Sequence, residues 1–135
     1  MTTFVLDAGP LIALLDADEQ YHAWAVATID GLEGRLITCE AVLSEAWFLA
    51  RRGSAHPVRV LELVAALSID VVPAWSARAS ELLTKYEGRA SVADACLLAL
   101  LEIDSNRAVV TLDRVDFSIY RTHRDQAVPA LMPPA

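Results

Sequence analysis

Four acidic side chains stand where a folding core would not ordinarily take one: Asp7, Glu45, Asp94 and Asp113. Asp7 interrupts the apolar run of TFVLDAGPLIALLD, where a carboxylate without a partner costs several kcal/mol or more. Glu45 has Val42, Ala46 and Leu49 around it at helical spacing, which sets it at or beside an inward face. Asp94 lies in SVADACLLALL, and Asp113 follows the apolar stretch of VVTLDRVDF. Four carboxylates brought together repel and raise one another's pKa unless divalent cations neutralise them. Ligation by oxygen alone, without histidine or cysteine, selects hard ions, Mg2+ or Mn2+.

Each acid also has a local explanation. Asp7 suits a helix N-cap, with Gly9 and Pro10 in the first turn. Ser91 and Asp94 match the S-x-x-D relative of a capping box. Asp113 and Asp116 suit a turn. Glu45 suits an edge position paired with an arginine, and Glu40 suits the positive end of the same helix. The four together say more than any one of them, provided the elements that carry them converge.

Those elements alternate. Strands are expected over Phe4–Leu6, Leu36–Thr38, Ile69–Val72 and Ala108–Leu112. Helices are expected over Leu11–Asp16, Glu19–Ile29, Glu40–Arg51 (stopped by Gly53), Val58–Leu67, Ser76–Tyr86 and Val92–Ile103. Strand–helix alternation predicts an α/β fold, a parallel sheet covered by helices on both sides. Ligands of such sheets bind outside the carboxyl ends of the strands. Asp7 and Asp113 end strands, Asp94 opens a helix and Glu45 lies early in another, so one crevice could receive all four.

A chain of 135 residues with 55% hydrophobic and 21% charged residues reads as one globular domain over 1–135. Its core is expected over about 3–120, with a loose tail at Met132–Ala135. The opening run lacks a basic leader and is broken by Asp7 and Pro10, so no membrane span is expected and the protein reads as cytoplasmic. Cys39, Cys96, His22, His56 and His123 show no zinc-ligand spacing, and the cysteines read as buried thiols. The net charge of −7 argues against a generic basic nucleic-acid binder, unless the acids hold cations.

LDAGPLIALLD, the acid in AVLSEAWFL, SVADACLLAL and VVTLDRVDF occur in an order that resembles PIN-domain nucleases, over Thr3 to about Tyr120. Length and layout look most like the single-domain VapC-like toxins of toxin–antitoxin pairs. The resemblance implies a PIN-like three-layer α/β/α sandwich around a central parallel sheet. It also implies Mg2+- or Mn2+-dependent hydrolysis of RNA phosphodiesters, with one or two ions held by Asp7, Glu45, Asp94 and Asp113. Asp7 and Asp94 would be metal ligands, Glu45 would hold the metal or its water, and Asp113 would complete the ring, with Asp116 as the alternative fourth ligand. Thr111 would hydrogen-bond a carboxylate or metal-bound water. Arg114, close after Asp113, and Arg51 and Arg52, in the helical segment of Glu45, are candidates for phosphate. A cognate antitoxin and a homodimer are the partners implied. The chain departs from the family at Gly9, where a serine or threonine is common.

Other functions remain open at this point. The same fold could serve as an idle interaction module, with Trp24, Trp47 and Phe48 in a partner groove. A different Mg2+-dependent α/β phosphohydrolase would want a second acid at Gly9, and a receiver domain would want a lysine after a late strand. Lys85, the only lysine, lies in a helical segment, and no GxxxxGK[ST] occurs.

Overall fold

The computed structural model describes residues 1–53 and 55–135. In chain order the elements are β1 (Thr2–Leu6), α1 (Ala8–Leu15), α2 (His22–Asp30), β2 (Gly34–Thr38), α3 (Glu40–Arg52) and α4 (Val58–Ala66). They continue with β3 (Asp70–Val71), α5 (Ala77–Lys85), α6 (Val92–Ile103), β4 (Arg107–Val110) and α7 (Arg114–Ile119). The chain ends with β5 (Arg121–Thr122), a 3-10 turn, β6 (Gln126–Ala127) and β7 (Ala130–Leu131). Among the described residues, no helix is long and apolar enough to cross a membrane.

Five strands form a parallel sheet in the order β3-β2-β1-β4-β7, and β5 pairs with β6 as a separate antiparallel ribbon. The chain runs outward from β1 through β2 to β3, then returns across the sheet to β4 on the other side of β1. With right-handed crossovers, that reversal sends α1 to α4 to one face and α5 and α6 to the other, which is the α/β/α sandwich. It also makes the gap between the ends of β1 and β4 the switch point of the sheet, where such folds open a crevice.

Val5, Leu6, Ile37, Val109 and Val110 of the central strands are fully buried, as strands covered on both faces should be. Helix α6 buries eight of its twelve residues and packs on α5, α3 and β4. Its neighbours explain why its sequence is apolar nearly all round.

Local chemistry moved several boundaries. Helix α1 begins at Ala8 rather than Leu11, because Asp7 caps it and Pro10 in a first turn loses no hydrogen bond. Helix α2 begins at His22 rather than Glu19, because Glu19 Oε2 accepts the Tyr21 N–H at 2.6 Å and holds a turn there. Strand β4 ends at Val110, two residues before the expected Leu112. Helix α7 and strands β5 to β7 had no counterpart in the expected elements. Met132–Ala135 has no regular structure, yet Pro133 is buried and its carbonyl accepts from the Arg114 guanidinium.

Candidate active site

Asp7 is the next residue after β1, and its N–H still bonds the Val110 carbonyl at 3.0 Å, so pairing with β4 carries through it. Its Oδ1 accepts the Ala8 N–H at 2.8 Å, the cap of α1, and its Oδ2 accepts the Thr111 hydroxyl at 2.7 Å. Cap and site wall are thus one side chain. Only 7% of Asp7 is exposed. That burial pushes its carboxyl from 3.8 up to about 7; the Thr111 and Ala8 bonds oppose the rise, and Asp94 and Glu45 add to it.

Asp94 opens α6 within a complete capping box: Ser91 Oγ accepts the Asp94 N–H at 3.0 Å, and Asp94 Oδ2 accepts the Ser91 N–H at 3.4 Å. The same Oδ2 accepts the Tyr120 hydroxyl at 2.6 Å. Asp113 caps α7, with Oδ1 accepting the Asp116 N–H at 3.0 Å, while its own N–H donates to Thr111 Oγ1 at 3.0 Å. Glu45 projects half-buried from α3. Burial raises the carboxyls of Glu45, Asp94 and Asp113 as well, and neighbouring acids raise each of them further. Burial and then Asp94 push the Tyr120 phenol up, so it stays a hydrogen-bond donor.

All four acids, together with Asp116, Arg89, Ser91, Gly9, Leu49 and Leu112, line one open cleft of about 440 Å³. It lies at the ends of β1 and β4, at the switch point. Asp116 differs from the others because the Arg89 guanidinium pairs with its Oδ1 at 2.7 Å. Gly9 packs against Leu112, whose side chain would stand 3.1 Å from a Cβ at that position. A side chain there would oblige Leu112, in the cleft wall, to give by a few tenths of an ångström.

Arg51, Arg52 and Arg114 are not among the residues that line the cleft. Arg51 borders a separate hollow with Trp47 and His56, Arg52 lies over the Phe48 ring, and Arg114 is turned to the Pro133 carbonyl. Arg89, which the sequence reading passed over, is the arginine that lines the cleft. Tyr120 was passed over too. Its signal was a tyrosine at the end of an apolar pair, Phe117 and Tyr120, which reads as core.

The donor set suits a hard divalent cation, since the cleft offers carboxylate and hydroxyl oxygens and, among the described residues lining it, Arg89 is the one cation, paired with Asp116. Among the described residues no three His, Cys, Asp or Glu side chains already converge around a point. The fit is therefore one of chemistry and shared cleft, with Glu45, Asp94 and Asp113 each half-buried at its wall. Cys39 and Cys96 are buried free thiols, their ionisation suppressed by burial. His22 is bonded to the Ala13 carbonyl, and among the described residues no histidine lines the cleft.

The family model described as the PIN domain matches residues 4–122. The chain belongs to the PIN domain family. Within it, the curated protein named Ribonuclease VapC26, from Mycobacterium tuberculosis strain H37Rv, is 30% identical over 123 residues, covering 87% of this chain and 91% of that one. Among solved structures, this PIN domain resembles Mycobacterium tuberculosis VapC20, described as a sarcin-ricin loop cleaving toxin, with a TM-score of 0.69 at 20% identity over 78% of this chain and 86% of that one. It also resembles VapBC2 from Rickettsia felis, solved bound to a DNA fragment from its promoter, with a TM-score of 0.61 at 13% identity over 97% and 98% of the chains.

Proposed function

We propose that this PIN domain is a Mg2+- or Mn2+-dependent endoribonuclease, the toxin of a toxin–antitoxin pair. One observation carries the reading: Asp7, Glu45, Asp94 and Asp113, from four separate stretches of sequence, line a single cleft at the switch point of the sheet. Its relationship to Ribonuclease VapC26 supports RNA as the substrate.

Asp7 and Asp94 would hold the cation, with Glu45 and Asp113 completing its surroundings. A bound cation supplies hydroxide near neutral pH and stabilises charge on the phosphate and leaving oxygen. The protein supplies the rest. Strand β1 and Thr111 fix Asp7, the capping box and Tyr120 fix Asp94, and Glu45 and Asp113, lining the same cleft, would orient the attacking water. Arg89, anchored on Asp116, turns its remaining N–H groups toward the anionic backbone of the RNA. The openness of the cleft suits a polymer rather than an enclosed small molecule.

An antitoxin and a second copy of the chain are the partners in this account. Trp47, Phe48 and Leu49 on α3 and Val58 and Leu61 on α4 are exposed apolar side chains of the kind an interface covers. The site is expected to work in the cytoplasm, where RNA and Mg2+ are both at hand.

The reading is tested by mapping new RNA 5′ ends after brief expression of wild type and Asp94→Asn. New ends and slowed growth are expected with the wild type only. Equal ends in both, or none in either, would remove the cleft from the function.

A further inference from the structure

Asp94 receives two hydrogen bonds on the same oxygen. The one from the Ser91 N–H is long, at 3.4 Å, while the one from the Tyr120 hydroxyl is short, at 2.6 Å. A contact near 3.4 Å restrains an oxygen weakly, so the phenol is the firm hold on Oδ2. Both of these bonds fall on Oδ2, and Asp94 lines the cleft.

The phenol is itself immobilised. Tyr120 is fully buried. Its ring is held edge-on by Tyr86, at 4.9 Å between centroids, and by Phe117, at 5.2 Å. Tyr86 is pinned in turn, because its hydroxyl accepts the Arg121 N–H at 2.8 Å. The Tyr120 N–H bonds the Asp116 carbonyl at 3.0 Å, which ties the ring to the end of α7. A carboxylate with one oxygen fixed has the direction of the other fixed as well.

Resting on the reading of the cleft as a divalent-cation site, we propose that Tyr120 is a positioning residue: its hydroxyl locks Asp94 Oδ2 so that Oδ1 is presented to the cation. Tyr120 touches neither RNA nor the reacting atoms and acts through Asp94. Outer partners that orient a ligating carboxylate typically govern 10- to 100-fold of metal affinity. A phenylalanine would keep the ring packing and lose only the O–H, which separates positioning from packing.

The experiment is calorimetric titration of Mn2+ into the full chain, comparing wild type, Tyr120→Phe and Val60→Ala. Val60 is a buried α4 residue that does not line the cleft, so its variant reports what loosening of the core alone does. Tyr120→Phe is expected to fold and to bind Mn2+ about 10- to 100-fold more weakly with unchanged stoichiometry, while Val60→Ala keeps wild-type affinity. RNA cleavage by Tyr120→Phe should then climb back toward the wild-type rate as Mn2+ is raised. Wild-type affinity in Tyr120→Phe overturns the inference alone, as does equal weakening in Val60→Ala or failure of Tyr120→Phe to fold. Absence of Mn2+ binding in the wild type overturns the reading of the cleft, and the inference with it.

Discussion

Thr111 Oγ1 donates to Asp7 Oδ2 at 2.7 Å and accepts the Asp113 N–H at 3.0 Å. One fully buried threonine therefore couples the acid that ends β1 to the acid just past β4. Thr111→Val keeps the shape and removes both bonds, leaving a buried carboxylate oxygen short of a donor. The expected cost is about 1–3 kcal/mol, read as a lower urea midpoint, with Thr111→Ser recovering most of it. A Thr111→Val midpoint equal to wild type would contradict the coupling.

Asp7 sets a pH dependence of stability in metal-free protein. Its carboxyl rises from 3.8 to about 7 on folding, chiefly through burial. The folded chain thus keeps a proton that the unfolded chain has already released. Stability from this group is fully present below about pH 4 and is lost as pH rises through about 7. At roughly 1.4 kcal/mol per pH unit, the loss is on the order of 4 kcal/mol. In EDTA, Asp7→Asn should be more stable than wild type near pH 8 and indistinguishable from it near pH 4. Parallel stability curves for the two proteins would show that Asp7 pays no such penalty.

Divalent cations should reverse that trend, because they favour the ionised cleft. Mn2+ at about 100 times its dissociation constant is expected to stabilise the fold by roughly 2.7 kcal/mol. Thermal unfolding with Mn2+ and with EDTA measures the difference, which should shrink as pH falls and the cleft takes up protons. Asp94→Asn should show little of it. An equal Mn2+ effect in that variant would move the binding elsewhere.

The two acids after β4 are expected to differ. Asp116 is engaged by Arg89 at 2.7 Å, whereas Asp113 caps α7 without an arginine partner. Asp113→Asn should therefore weaken Mn2+ binding severely, and Asp116→Asn only mildly. Because the Arg89–Asp116 pair is partly exposed, breaking it should change stability by no more than about 1 kcal/mol. Titration calorimetry on both variants decides which acid completes the site.

The sequence exposed local relationships and hid distant ones. Helix α6 has the limits its pattern predicted, Val92 to Ile103, and Ser91 and Asp94 form the expected box, because capping acts over three residues. The four acids were found through the order of their motifs, although each had a local explanation that also held: Asp7, Asp94 and Asp113 are all caps. Strand β7 stayed hidden because a two-residue strand just after Pro129 carries no periodicity. It exists through bonds such as the Thr111 N–H to the Leu131 carbonyl. Arg89 and Tyr120 were hidden for a similar reason, since each meets its acid 26 or 27 residues away along the chain. Arg89 also lies as close in sequence to Asp94 as Arg51 and Arg52 lie to Glu45, so sequence distance did not separate them; the directions taken by α3 and α7 turned Arg51, Arg52 and Arg114 elsewhere.

The central claim is that this carboxylate cleft cleaves RNA with a divalent cation. Its most direct measurement is cleavage of RNA by purified, partner-free protein in Mn2+, in EDTA, and with Asp94→Asn in Mn2+. The account predicts discrete cleavage by wild type in Mn2+ and almost none under the other two conditions. Intact RNA with wild-type protein shown to have bound Mn2+, or cleavage that persists in EDTA or in Asp94→Asn, would contradict it.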